Sequence, residues 1–528
     1  MSTKMRTEQR AERPETDLVL PNLVRSLAEQ APDDVFLQEV GGARRTYRET
    51  HRQARAWAAG MRRRGVEEGD RVATIFPTGI DGVLAWLGCA YLGAVNVPIS
   101  TAYIGHMLEH ALALTEPRLI LADARCVGPL ADLDAPALPE VLIRHHPEAD
   151  AASAQRLPAV ADLGELDAAP GSWEPCLSSW TDPPSLMFTS GTTGPSKAVI
   201  LRWLQLYRMA TTTCKTRFAP AGDVVYCPWP LNHISATGSI YAAAISRGTA
   251  VLREKWSTSN FMRDIYDHGC TFTLLMLEMT RYVWKMELPE GRGTCPLERV
   301  YAIPTNPDLG PLMEKLGARY STSYNSTEQS TPIASVGMEP VPVGAAGKPR
   351  DRAEVRIVGP DGCDVPVGEV GELLTRTSDP AEMFAGYWRM PDATAKAMRD
   401  GWYHTGDAVR MDADGYVYFL ERMDDRIRHR GENVSPFDLE TTLERDPGIS
   451  KSAAVGIPSA AYGEDDIVVF VVPAATALSE ADVDAIAERT LPKFMRPSRV
   501  VIVPELPETP TGKVKRAALR QSLLAERE

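Results

Sequence analysis

The chain has 528 residues, 44% hydrophobic and 24% charged, with a net charge of −13. That length outruns a single hydrophobic core, so several domains are expected. The acidic balance argues against nucleic acid as a partner, which calls for a basic face, and the eight cysteines contain no C-x-x-C pair, which excludes the usual zinc and redox signatures and suits free thiols in a reducing cytoplasm.

Residues 1–16 are charged and polar, carry no apolar signal segment, and read as a disordered tail. Residues 47–64 have the periodicity of an amphipathic helix and 71–76 that of a strand. The most apolar run, 83–98, is broken by glycines and falls short of the ~20 residues of a membrane span, so a buried helix followed by a strand is expected and no span. A helix over 103–114 and a strand over 119–122 continue the alternation, which predicts layered α/β subdomains with mostly parallel strands. Residues 131–184, rich in Ala, Pro and acidic side chains, read as an irregular surface connection. After a second α/β run, glycines punctuate short β-like runs between 341 and 420, predicting a small β-rich subdomain. The remainder reads as a small α+β domain with helices over 436–445 and 480–490 and strands over 452–456, 467–472 and 499–503. The expected division is a tail 1–16, a large α/β N-terminal domain 17–421, and a small mobile C-terminal domain 422–528.

The segment most informative about chemistry is 189–197, T-S-G-T-T-G-P-S-K, which follows an apolar strand. Gly191 and Gly194 let the backbone approach a ligand closely, so their N–H groups can cradle an anion. Thr189, Ser190, Thr192 and Thr193 supply hydroxyls, and Lys197 a point charge for terminal phosphates. The spacing of Gly194 and Lys197 is not that of a Walker A loop.

This segment resembles the phosphate loop of the acyl-adenylate-forming superfamily, which contains acyl-CoA synthetases, adenylation domains of nonribosomal peptide synthetases and beetle luciferases. The other motifs of that group follow in order. P-L-N-H at 230–233 resembles the segment lining the acyl pocket, which implies a pocket of His233, Ser235, Thr237 and Gly238, with Thr305 from a later loop. Y-N-S-T-E at 324–328 resembles Y-G-x-T-E, which implies that Tyr324 stacks on adenine beside Ser323 and Asn325, Thr327 meets the α-phosphate, and Glu328 helps hold Mg²⁺. Y-H-T-G-D at 403–407 implies that Asp407 binds the ribose hydroxyls, with Phe419 and Arg422 also at the nucleotide. The run 421–427 resembles a hinge, with Asp424 at the pivot, and R-G-E-N-V-S-P-F-D-L-E at 430–440 implies that Gly431 borders the pantetheine channel. P-T-G-K at 510–513 resembles the catalytic-lysine motif, which makes Lys513 the expected bridge between carboxylate and α-phosphate. The resemblance spans roughly residues 20–520 and is nearest to crotonobetaine/carnitine-type or medium-chain CoA ligases, mainly through 430–440.

The resemblance implies ATP- and Mg²⁺-dependent adenylation of a small-molecule acid, with Lys513, Glu328, Thr189 and Lys197 as catalytic residues and coenzyme A as the expected acceptor. The alternatives are transfer to a carrier-protein thiol or an amine, including nitrite activation for diazotisation of an aryl amine, or a degenerate nucleotide-binding regulator. Asn232, Asn325 and the segment 303–309 depart from the family pattern and bear on the acid and the acceptor, not on adenylation. Sequence alone leaves a monomer and a homodimer equally open.

Overall fold

The computed structural model describes residues 15–133, 138–149, 151–168, 173–189, 196–213, 222–422, 427–460, 464–474, 478–507 and 514–526. Helix ends follow local chemistry. The helix Tyr47–Arg63 opens on a capping box, in which the Thr46 hydroxyl accepts from the Glu49 N–H and the Glu49 carboxylate accepts from the Thr46 N–H. The helix Ile80–Leu92 ends on Gly93 at φ 77°, a left-handed cap that suits glycine. Glu15 and Thr16, read from sequence as the end of a tail, instead lead into a single helical turn, Thr16–Leu18, with the Thr16 carbonyl accepting from Asn22 Nδ2.

Two largely parallel sheets form the large domain. One has the strand order Arg319–Ser321, Arg299–Ile303, Phe272–Met276, Val224–Cys227, Thr249–Leu252, Val35–Glu39, Arg44–Thr46, parallel except for the last pair. The other, all parallel, runs Val95–Pro98, Arg71–Ile75, Leu119–Asp123, Val141–Arg144, Val160–Asp162. Its last two strands lie in the stretch read from sequence as an irregular connection. Val141, Leu142 and Ile143 are buried there, but the run is too short to announce itself between Pro- and Asp-rich flanks. Between the layers the indoles of Trp86 and Trp203 stack at 5.4 Å, joining the helices Ile80–Leu92 and Trp203–Thr213.

The phosphate-loop strands Leu186–Thr189 and Lys197–Ile200 form an antiparallel hairpin, tied to the second sheet by a bridge between Ser185 and Asn96. An antiparallel sheet follows, in the order Ser323–Ser326, Gln329–Ala334, Ala345–Pro349, Val417–Arg422, Trp402–Met411, Val370–Thr377, Ala353–Val358. The C-terminal domain carries a hairpin of Ile427–His429 and Glu432–Val434 and a sheet of Ile449–Pro458, Asp465–Pro473 and Arg499–Ile502. Its core of Leu439, Leu443, Val469 and Ile486 takes in Met107, a side chain of the large domain. The two domains therefore share apolar surface. No helix among the described residues is long and apolar enough to cross a membrane.

Candidate active site

The motif residues form two groups of contacts, one at Asp407 and Tyr324 and one at Glu328 and Lys197. The Asp407 carboxylate accepts from the Tyr324 hydroxyl, and both side chains are buried. Asp407 lies opposite Arg422 in the strand ladder, so the backbone of Arg422 is beside it. Phe419 runs nearly parallel to Tyr324, with ring centroids 6.5 Å apart, and is 39% exposed, leaving an aromatic face open to solvent. Four residues after Tyr324, Glu328 accepts from the Tyr387 hydroxyl at 2.9 Å. The Tyr387 ring lies 5.1 Å from Lys197 Nζ, a cation–π contact. Asp407 and Tyr324 thus form one pair, and Glu328 and Lys197 meet at the Tyr387 ring.

Tyr387 is a residue that the motifs did not announce. The segment that carries it runs beside the strand Lys197–Ile200, where Ile200 N–H donates to Gly386 O and Trp388 N–H to Ala198 O. Its ring is therefore positioned by backbone pairing with the phosphate hairpin. The only sequence signal is an aromatic pair after a glycine, G-Y-W at 386–388, which reads equally well as core.

Beside Tyr324, the Tyr301 hydroxyl contacts Ser323 Oγ and accepts from Asn325 Nδ2 at 3.2 Å. Gln205 Nε2 donates to the Thr327 carbonyl at 2.7 Å and fixes the loop from below. Thr305 is buried, and its hydroxyl is used on backbone, donating to Ala345 O and accepting from Gly344 N–H. It shapes the loop rather than offering a free hydroxyl. Thr237 is likewise buried, with its hydroxyl on Ile234 O. His233 caps the helix Ile234–Ile245, accepting from Ser235 N–H through Nδ1. A Cβ at Gly238, on the same helix, would meet open space. Thr189 is half-buried at the end of its strand. Ser190, Gly191, Thr192, Thr193, Gly194, Asp424 and Lys513, and the side chain of Arg422, lie outside the described residues.

The C-terminal domain packs against the foot of the phosphate hairpin, at Ser196, and against Met107. In its hairpin Arg430 and Gly431 have φ of 54° and 79°, as a two-residue type I′ turn requires. A side chain on Gly431 would meet no protein atom, and its N–H donates to the Glu464 carboxylate at 3.0 Å. His233 is exposed, and crowding by surrounding protein atoms, then the Arg428 guanidinium, shift its imidazole downward, towards the neutral form. Tyr103, in the large domain, is raised by burial and by the carboxylates of Asp438 and Glu432. Asp438 also accepts from Ser196 across the domain boundary. Beyond the motif lysine, Arg516 pairs with Glu440 at 2.6 Å, and Leu519 and Leu523 pack on Ala453 and Phe470, all within the C-terminal domain.

Comparison with known proteins gives the same picture. Residues 24–388 match the family described as AMP-binding enzyme, and residues 438–513 match AMP-binding enzyme C-terminal domain. Sulfoacetate–CoA ligase of Cupriavidus necator is 30% identical over 86% of this chain and 88% of its own. Feruloyl-CoA synthase of an Amycolatopsis species is 29% identical over 91% and 94%. A solved structure of o-succinylbenzoate CoA synthetase from Bacillus subtilis, a double mutant bound with a product analogue, superposes with a TM-score of 0.79 at 22% identity, covering 94% of this chain and 98% of that one. The match over residues 24–388, more than half of the chain, together with the C-terminal match over 438–513, makes this chain a member of the AMP-binding enzyme family.

Proposed function

We propose that the protein is an AMP-forming acid–CoA ligase acting on a small, polar carboxylic acid. In the first half-reaction a carboxylate oxygen attacks the α-phosphorus of ATP, giving acyl-AMP and pyrophosphate. In the second, the CoA thiol attacks the acyl carbon, AMP leaves, and the thiol proton passes to solvent. The first part is supported by the pairing of Asp407 with Tyr324 and of Glu328 with Tyr387, whose ring faces Lys197, since these are the residues expected to bind ribose, adenine, metal and phosphate. Asp407 accepts the ribose hydroxyls, and Lys197, with the loop before it, holds the terminal phosphates. Lys513 bridges the attacking carboxylate and the α-phosphate. No side-chain nucleophile is needed, since positioning and charge neutralisation suffice for transfer to phosphorus.

The donor set fits magnesium. Among the described residues there is no cluster of three metal-ligating side chains. A single buried carboxylate, Glu328, suits a hard ion held mainly by substrate phosphates and water. When bound, Mg²⁺ would neutralise charge on the phosphate oxygens.

For the second half-reaction the support is the Gly431 hairpin flanking His233, with a tip that leaves space for a pantetheine arm. A polar acid is supported by Asn325 anchored on Tyr301, by the half-buried Asn232, and by the relative named for sulfoacetate, a small polar acid. The test is pyrophosphate release with ATP and Mg²⁺ across short, aromatic, betaine-like and fatty acids, with and without CoA, with products identified by mass. Lys513→Ala is expected to abolish adenylation yet still convert supplied acyl-AMP and CoA to thioester. Acyl-AMP that accumulates regardless of CoA would move the acceptor to a carrier thiol or an amine. Absence of release with every acid would sink the ligase reading.

A further inference from the structure

One buried carboxylate of the large domain, outside every motif above, is surrounded by more arginine than it neutralises. Glu382, in the turn Pro380–Glu382, is 2% exposed, and its Oε1 accepts from Arg208 Nε at 2.8 Å and from Arg352 Nη1 at 3.1 Å. Arg208 belongs to the helix Trp203–Thr213 and is buried. Arg352 follows the strand Ala345–Pro349, and its side chain is 28% exposed, which opens the group to solvent. A third guanidinium joins them. Arg350 is half-buried, donates through Nη1 to the Thr331 carbonyl at 3.0 Å, and forms no ion pair among the described residues. Burial pulls the Arg350 guanidinium below its ordinary range, Glu382 offsets part of this, and Arg208 and Arg352 then repel it further. The two other carboxylates of this corner do not close the balance: Asp351 is exposed, and Asp379 Oδ1 accepts from the Ala381 N–H.

We propose that Arg208, Arg350 and Arg352 form an oxyanion site for a phosphate-type group, separate from the site for the phosphates of ATP. A purely structural clasp on Glu382 is complete with Arg208 and Arg352. Arg350 has no part in it, yet arginine keeps its proton, so its charge stays uncompensated in a part-buried corner. Three guanidinium groups against one carboxylate leave a surplus that matches a dianion. Planar N–H forks from separate segments also suit the several oxygens of a phosphate or a phosphate monoester. Glu382 is the competitor of such a ligand, because it engages one nitrogen each of Arg208 and Arg352.

The test is calorimetry on the full chain with saturating ATP and Mg²⁺ and no acid, so that the nucleotide site is already filled. Inorganic phosphate and glycerol 3-phosphate are the probes, and sodium chloride at equal ionic strength is the control. The expected result is saturable binding of a single phosphate per chain that chloride does not reproduce. Arg350→Met leaves the clasp on Glu382 in place and should weaken that binding by roughly tenfold or more, with AMP affinity and the circular-dichroism spectrum unchanged. Glu382→Gln removes the competitor and should tighten it, so that phosphate raises the melting temperature of this variant more than that of wild type. Tighter binding of inorganic phosphate would identify a free anion as the ligand, and tighter binding of glycerol 3-phosphate an esterified one. Absence of saturable binding in both wild type and Glu382→Gln would overturn the site. So would binding that Arg350→Met leaves intact, or that chloride reproduces.

Discussion

Replacing Tyr387 by Phe isolates one hydrogen bond, that to Glu328. The hydroxyl donates to Glu328 at 2.9 Å, and both residues are buried. Backbone pairing holds the ring, as does Thr394 Oγ1, which accepts from the Tyr387 N–H at 2.9 Å, so Phe keeps the same position. The face presented to Lys197 is also retained. What disappears is a bond to a charged acceptor, worth about 1.5–3 kcal/mol when its partner stays buried. If Glu328 helps hold Mg²⁺·ATP, that loss raises the KM for Mg²⁺·ATP in pyrophosphate release by roughly ten- to a hundredfold. Thermal unfolding should move by only a few degrees. Tyr387→Leu, which removes the ring as well, should do worse and also weaken pyrophosphate binding through Lys197. The assay is initial-rate pyrophosphate release against total Mg²⁺·ATP, with melting followed in parallel. A Phe variant with unchanged Mg²⁺ and ATP dependence would refute the assignment of Glu328 to the metal, or that of Tyr387 to its orientation.

Three further outcomes follow from the same geometry. Asp407→Asn breaks a buried, charge-assisted bond to Tyr324 and should lower AMP affinity at least tenfold by calorimetry, with the acid-dependent step affected only through nucleotide binding. Trp203→Ala empties a site 1% exposed and stacked on Trp86, and should cost about 3–5 kcal/mol in urea unfolding of the large domain. His51 is pushed down to about 4 by burial, then by the guanidinium groups of Arg55 and Arg25. The unfolded chain therefore takes up its proton near pH 6.5 while the folded chain does not, and stability falls as pH drops from about 6.5 towards 4. Solvent access limits the effect to roughly 2 kcal/mol, and His51→Gln should flatten that acid limb in urea midpoints compared at pH 7 and pH 5.

Much of the chemistry was legible in the chain itself. The phosphate segment, Tyr324 to Glu328 and Asp407 are short runs whose residue types point to their chemistry, and the structure pairs Asp407 with Tyr324 and Glu328 with Tyr387. Helix limits were equally local. The Thr46–Glu49 box and the Ser479–Asp482 box mark helix starts by hydrogen bonds within four residues. Three things needed the tertiary structure. The strands Val141–Arg144 and Val160–Asp162 exist because a parallel sheet offered an edge for them, not because their flanks predict strand. The place of Tyr387 is set by pairing with a hairpin nearly two hundred residues earlier, and the Thr305 hydroxyl is engaged by two backbone groups of a distant segment. The bond between Ser196 and Asp438 spans 242 residues. Short-range periodicity and turn chemistry say nothing about which distant surfaces meet. That is decided by how the buried faces of the two domains fit together, and here the fit put a carboxylate at the foot of the phosphate loop.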